Sequence, residues 1–166
     1  MNEQRRSTDL IVSIILIVVI IGLDQVSKLL VCEYVKPVGS ISILSNVLSF
    51  TYVENYGAAF GILKNERWFF IIVSLIMILA FMYLLFFKKV KNKWLIASSV
   101  LLIGGGVGNL IDRIFKGYVI DFISLSFFKP VCNLADYFIT AGAVCLIMYI
   151  VFFYKETEQK EVKEAK

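Results

Sequence analysis

The sequence predicts an all-α polytopic membrane protein of four transmembrane helices, with a small β-sheet on its outer side. Three observations predict it. The chain of 166 residues is 59% hydrophobic with a mean hydropathy of +0.81, more apolar than a soluble domain of ordinary composition. It contains four apolar runs long enough to cross a bilayer as helices. Its lysines and arginines gather in alternate connections, as the positive-inside rule requires of a polytopic protein. The length suits a single membrane domain over residues 1–166.

The first span covers 10–32. Residues 10–23 are apolar, and Asp24 and Lys28 interrupt before 29–32. A cleaved signal peptide would use Arg5 and Arg6 as its charged start. The run is too long for that, and no small-residue cleavage site follows, so the segment reads as a retained helix. An outer loop, 33–67, follows. Its stretch ISILSNVLSFTYVEN sets Ile41, Ile43, Val47, Phe50 and Val53 among Ser, Thr and Asn, a pattern of short strands lying on the membrane surface. The remaining spans cover 68–87, 94–111 and 135–154. Lys88, Lys89, Lys91 and Lys93 crowd the connection between the second and third. That connection, both termini and the charged tail 155–166 are therefore expected in the cytoplasm, and 33–67 and 112–133 outside. The net charge of +4 reflects this placement, and no nucleic-acid partner is expected.

Composition narrows the chemistry. The chain has no histidine, which removes Ser-His and Cys-His nucleophiles and every His-ligated metal site. Cys32, Cys132 and Cys145 show no CxxC spacing, so neither zinc nor a redox pair is expected. Cys145 lies in an apolar run and reads as packing. Cys32 and Cys132 could meet outside the membrane, but an odd count without a framework pattern argues against a disulfide. No metal and no cofactor is expected.

The polar residues collect at one depth. Asp24 and Lys28 share a helix face near the outer end of the first span. Glu54 and Asn55 precede the second, Asn109, Asp112 and Arg113 close the third, and Asn133 and Asp136 open the fourth. Ionisable groups at membrane depth usually face a bundle interior or a cavity, so this convergence suggests one polar site near the outer leaflet. Small-xxx-small spacings at Gly104/Gly108 and Gly57/Gly61 would let helices approach closely there. Bland readings stand beside the functional one. Asp24 and Lys28 can be a self-neutralising pair, Asn109 a helix cap, Asp112 and Arg113 groups reaching water, Asp121 a partner of Arg113, and Asn133 with Asp136 a capping arrangement. With histidine and metals gone, the chemistry that remains is a pair of carboxylates sharing one proton. One activates water and the other polarises a carbonyl; Asp121 and Asp136 suit that scheme. The rivals are an ion or proton carrier, which should place polar groups along its whole depth, and a lipid-modifying transferase, for which no histidine or cysteine catalyst stands out.

Five blocks in order, LDQVSK (23–28), VENYGAAFG (53–61), GGGVGNLIDR (104–113), YVIDF (118–122) and NLADYFITAG (133–142), make the sequence resemble lipoprotein signal peptidase, the type II signal peptidase of bacteria. The resemblance implies an aspartic endopeptidase of the bacterial cytoplasmic membrane. It would cut prolipoproteins just before a cysteine carrying diacylglycerol. Asp121 and Asp136 would be the catalytic dyad. Asn55, Asn109, Arg113 and Asn133 would hold substrate and orient the dyad, with Asp24, Lys28, Asp112 and Gly57 in support. It also implies an extracytoplasmic sheet, a short surface helix and sensitivity to globomycin-type cyclic peptides. A monomer contacting membrane lipid and lipidated prolipoprotein is the expected working form.

Overall fold

The structure is a computed structural model that describes residues 3–57, 63, 65–88 and 90–154. Gly61, Lys89 and the tail 155–166 lie outside the described residues, and with them the second small-residue pair and the tail's expected placement.

Four long helices form the body: α1 (Glu3–Leu30), α2 (Arg67–Phe87), α3 (Lys93–Phe115) and α4 (Leu134–Phe152). All four are long and apolar enough to cross a membrane. A π-helical turn, Val31–Val35, extends α1. The helix passes through Asp24 and Lys28 without a break, because both side chains are fully buried and paired. Helix α3 is the central one. About 67% of its most apolar stretch is buried, against 17% in each of the other three, and it packs on all of them. The apolar side chains that α1, α2 and α4 turn outward, such as Ile15, Val18, Ile76, Leu79 and Ile147, are exposed, as a hydrocarbon-facing surface requires.

Against α2 the contact is a seam. Ile71, Ile78 and Leu85, each seven residues from the next, pack on Ile103 and Leu110 of α3, a spacing that keeps one narrow face of each helix on its neighbour. Against α1 and α4 the approach is closer. A Cβ on Gly108 would lie 2.6 Å from Asp24 Oδ2, and one on Gly105 would lie 2.6 Å from the Ala135 carbonyl oxygen. Only glycine fits at these two crossings.

Strands β1 (Ser40–Leu44), β2 (Leu48–Asn55), β3 (Val119–Leu125) and β4 (Phe128–Cys132) form one antiparallel sheet in chain order. The all-α description is therefore too narrow. The expected strands in 33–67 exist, and the segment between α3 and α4 adds two more. Strand β3 does not show in the sequence because Val119, Ile120, Asp121 and Phe122 are all buried, and a strand covered on both faces shows no alternation; β4, exposed to half-buried, carries Pro130, which weakens the strand signal. The sheet sits on the end of α1, with Ile120 and Phe122 packed on Val31 and Val35. Gly117, at φ +87°, ends α3 in the left-handed region and turns the chain into β3. No separate short surface helix occurs among the described residues. All three cysteines are free thiols.

Candidate active site

The site lies where the sheet meets the ends of α1, α3 and α4. Its two carboxylates come from different kinds of element. Asp121 stands on β3 and Asp136 in the first turn of α4. Asn55 also stands on a strand, so the reading in which every helix supplies its own share of the polar groups is corrected: β2 and β3 supply two of them.

Sheet register explains the first half of the site. Asn55 pairs with Val119 and Val53 with Asp121, so Asn55 and Asp121 are diagonal neighbours on one face. Asn55 Nδ2 donates to Asp121 Oδ2 at 2.7 Å, and Asn55 Oδ1 accepts the Gly57 N–H at 2.9 Å. The helix start explains the second half. Asn133 caps α4, its Oδ1 accepting the Asp136 N–H at 3.0 Å while its own N–H donates to Asp136 Oδ2 at 3.1 Å. This is a complete capping box. The capping arrangement and the polar site are thus one structure.

Asn133 also joins the halves. Its Nδ2 donates to Asp121 Oδ1 at 2.6 Å, so one fully buried asparagine fixes both aspartates. Asn109 Nδ2 donates to Asp136 Oδ1 at 2.8 Å. Both oxygens of each carboxylate therefore already accept one hydrogen bond, and each keeps acceptor capacity for a water or substrate. Burial, with the Asp136 charge next in weight, pushes the Asp121 carboxyl up to about 7 against the opposing bonds from Asn55 and Asn133.

Arg113 does not pair with Asp121. It donates to the Gly57 carbonyl at 3.4 Å and lies over the Phe70 ring, 4.9 Å from its centroid, with its charge within electrostatic reach of both aspartates. Gly57 is thereby held from two sides, by Asn55 and by Arg113. Asp24, Lys28 and Asp112 form a fully buried cluster behind the dyad. Lys28 Nζ lies 2.8 Å from Asp24 and 3.0 Å from Asp112, and donates to Asn109 Oδ1 at 3.0 Å. Asp112 does not reach water, and Asn109 serves the site and not the end of α3.

Sequence reasoning does not single out two of the participants. Gln25 Nε2 bridges Asp24 Oδ2 and the Gly108 carbonyl, and Lys116 Nζ lies 2.9 Å from Asp112 Oδ1. The i,i+4 spacing from Asp112 is the available signal for Lys116; nothing in the sequence marks Gln25. A further cluster braces the sheet beside Asn55. Tyr52 and Tyr56 each donate to Glu54 at 2.9 Å, which holds the Glu54 carboxyl below its ordinary value. No group of acidic or cysteine side chains able to hold a metal occurs among the described residues.

Four apolar helices, with the buried Asp121 and the half-buried Asp136 brought together at one end, define a multi-pass membrane protein. The family described as signal peptidase (SPase) II matches residues 16–152. The chain is similar to the lipoprotein signal peptidase of Clostridioides difficile, with 43% identity over 84% of this chain and 95% of that one. It is similar also to that of Caldicellulosiruptor bescii, with 46% identity over 78% and 83%. A bacterial membrane enzyme solved by the in meso method at 2.3 Å shares the fold, with a TM-score of 0.77 and 33% identity over 90% of this chain and 91% of that one. The chain belongs to the signal peptidase II family and is a protease of lipoprotein processing.

Proposed function

We propose that the chain is an aspartic endopeptidase that removes the signal peptide from diacylglyceryl-modified prolipoproteins, cutting just before the lipidated cysteine. The observation that carries this reading is the joint anchoring of Asp121 and Asp136 by Asn133. Two carboxylates so placed share one proton. The ionised one takes a proton from water as the water oxygen attacks the scissile carbonyl carbon, and the protonated one donates to the carbonyl oxygen. The aspartate that took the water proton then gives it to the amide nitrogen, and the C–N bond breaks as a hydroxyl of the tetrahedral intermediate returns a proton to the other aspartate. This frees the signal peptide as a carboxylic acid and the lipidated cysteine with an amine, and restores the dyad.

Asn55, Asn109 and Asn133 orient the dyad, and Arg113 with Gly57 positions the substrate backbone. The sheet and the dyad face the outer side of the bacterial cytoplasmic membrane, and both termini face the cytoplasm. There the diacylglyceryl chains bring the bond to the site laterally, within the lipid. The enzyme works as a monomer without a cofactor, and globomycin-type cyclic peptides occupy the same site.

The test is cleavage of lipid-modified prolipoprotein by purified variants in detergent. Asp121→Asn and Asp136→Asn should each lower kcat by at least about 10³-fold while substrate still binds, with the double variant hardly worse than either single, because groups acting as a unit are not additive. Substantial turnover by either single variant would sink the assignment.

A further inference from the structure

Three contacts of the buried cluster share a pattern. Asp24 Oδ1 accepts the backbone N–H of Ala135 at 3.0 Å, and Ala135 immediately precedes Asp136. Asp112 Oδ2 accepts the backbone N–H of Ile120 at 3.2 Å, and Ile120 immediately precedes Asp121. Between the two carboxylates sits one cation, Lys28, at 2.8 Å from the first and 3.0 Å from the second. Its third contact is Asn109 Oδ1 at 3.0 Å, which fixes the amide so that Nδ2 is the atom presented to Asp136. The ammonium donates to Asp24 and Asn109 and forms an ion pair with Asp112, so all three of its contacts are groups that hold the dyad.

We infer that Lys28 is a positioning residue that sets the separation of Asp121 and Asp136, by holding together two carboxylates that each grip the backbone just before one of them.

The two aspartates are carried on different kinds of element. Asp121 rides on a sheet and Asp136 on a helix start, and they are 15 positions apart across a loop and two strand ends. Sheet register alone does not fix where α4 begins. Asn133 ties the side chains directly, but an amide on a helix cap moves with α4. A connection through the bundle is needed to lock β3 to α4, and Lys28 on α1 supplies it through Asp112 on α3 and Asp24 on α1. Lys28, Asp24 and Asp112 are each 0% exposed, so water does not loosen the link, and a buried cation with two partners has strong geometric preferences. Lys116, at 2.9 Å from the other oxygen of Asp112, leaves the cluster with two charges of each sign. Gly108 leaves room for Asp24, whose Oδ2 stands where a side chain would begin.

This inference rests on the aspartic reading above and deepens it. It predicts a loss of kcat without a matching change in KM, since a misplacement of the order of 1 Å far from the chemistry costs about 10²-fold in rate. Two variant sets test it in full-length enzyme, each first checked for folding by thermal unfolding in detergent. Asp24→Asn combined with Lys28→Met removes one charge of each sign and the anchor of Asn109. Its kcat should fall about 10²-fold with KM within about threefold. The second set keeps Lys28 and removes a charge pair on the other side. Asp112→Asn with Lys116→Met retains an acceptor for the Ile120 N–H, and Asp112→Ala with Lys116→Met does not. The asparagine form should turn over at least about tenfold faster than the alanine form, a rescue that charge alone does not explain. Equal rates in that pair, or an unchanged kcat in the first variant, would overturn the inference. So would failure of every variant to fold, which would make the cluster a structural ion pair only. If instead Asp121→Asn or Asp136→Asn stays active, the aspartic reading fails, whatever the cluster variants do.

Discussion

Replacing Gly108 with alanine should unfold more than it appears to touch. The added Cβ would lie 2.6 Å from Asp24 Oδ2, 3.1 Å from its Cγ and 3.4 Å from Ala135 Cβ. Ordinary contact begins near 3.4 Å, so Asp24 or α3 must yield by about 0.8 Å, the difference between those two distances. Overpacking of this kind costs about 1–3 kcal/mol. The atom displaced is the one that binds Lys28 at 2.8 Å and Gln25 at 3.1 Å, and weakening a charge-assisted bond adds about 1.5–3 kcal/mol. The expected total is about 2.5–6 kcal/mol of lost stability, with activity reduced further in the fraction that stays folded. Gly22→Ala is the control. A Cβ added to Gly22 would meet nothing within 4 Å, and in the interior of α1 alanine gains up to about 1 kcal/mol of helix propensity. The assay is equilibrium unfolding in mixed micelles, followed by cleavage rate per folded enzyme. If Gly108→Ala matches Gly22→Ala, α3 is not held against Asp24 as the geometry requires.

Three other outcomes follow from the site. With the Asp121 carboxyl raised to about 7, the proton that the dyad shares is present below that pH and lost above it, so kcat/KM should decline on the alkaline side of about 7; a flat profile from about pH 6 to 9 would contradict the shared proton. An unmodified precursor should be cleaved at least about 100-fold less efficiently than its diacylglyceryl form. That ratio corresponds to only three or four buried methylenes at about 0.8 kcal/mol each, and equal cleavage of both forms would point to a general peptidase. A reporter fused after Lys91 should report the cytoplasm and one near Ser45 the outside, and a shared side would refute the proposed orientation.

Much of this protein follows from its sequence alone. Long uncharged runs have one stable form in hydrocarbon, because every backbone N–H and C=O must find its partner within the segment; hence the four helices. The missing histidines narrow the chemistry without coordinates, and five motif blocks in order carry the family. Asn133 and Asp136 announce their own capping box, since its three-residue spacing is local. What the sequence left open was every relation between distant segments. Strand β3 did not show, because a strand buried on both faces loses the alternation that reveals it, and β4 did not because Pro130 interrupts its pattern. That Asn55 lies diagonal to Asp121 depends on the pairing of β2 with β3, 66 residues apart. Arg113 could equally have met Asp121, and the fold gave it Gly57 and Phe70 instead. Asp24 and Lys28 read as a self-sufficient pair at helical spacing, yet their other oxygen and protons reach Ala135, Asn109 and Asp112. Local spacing fixes which side chains share a face. Only the packing of α1, α3, α4 and the sheet fixes which faces meet, and a buried charge takes its role from whatever groups that packing brings to it.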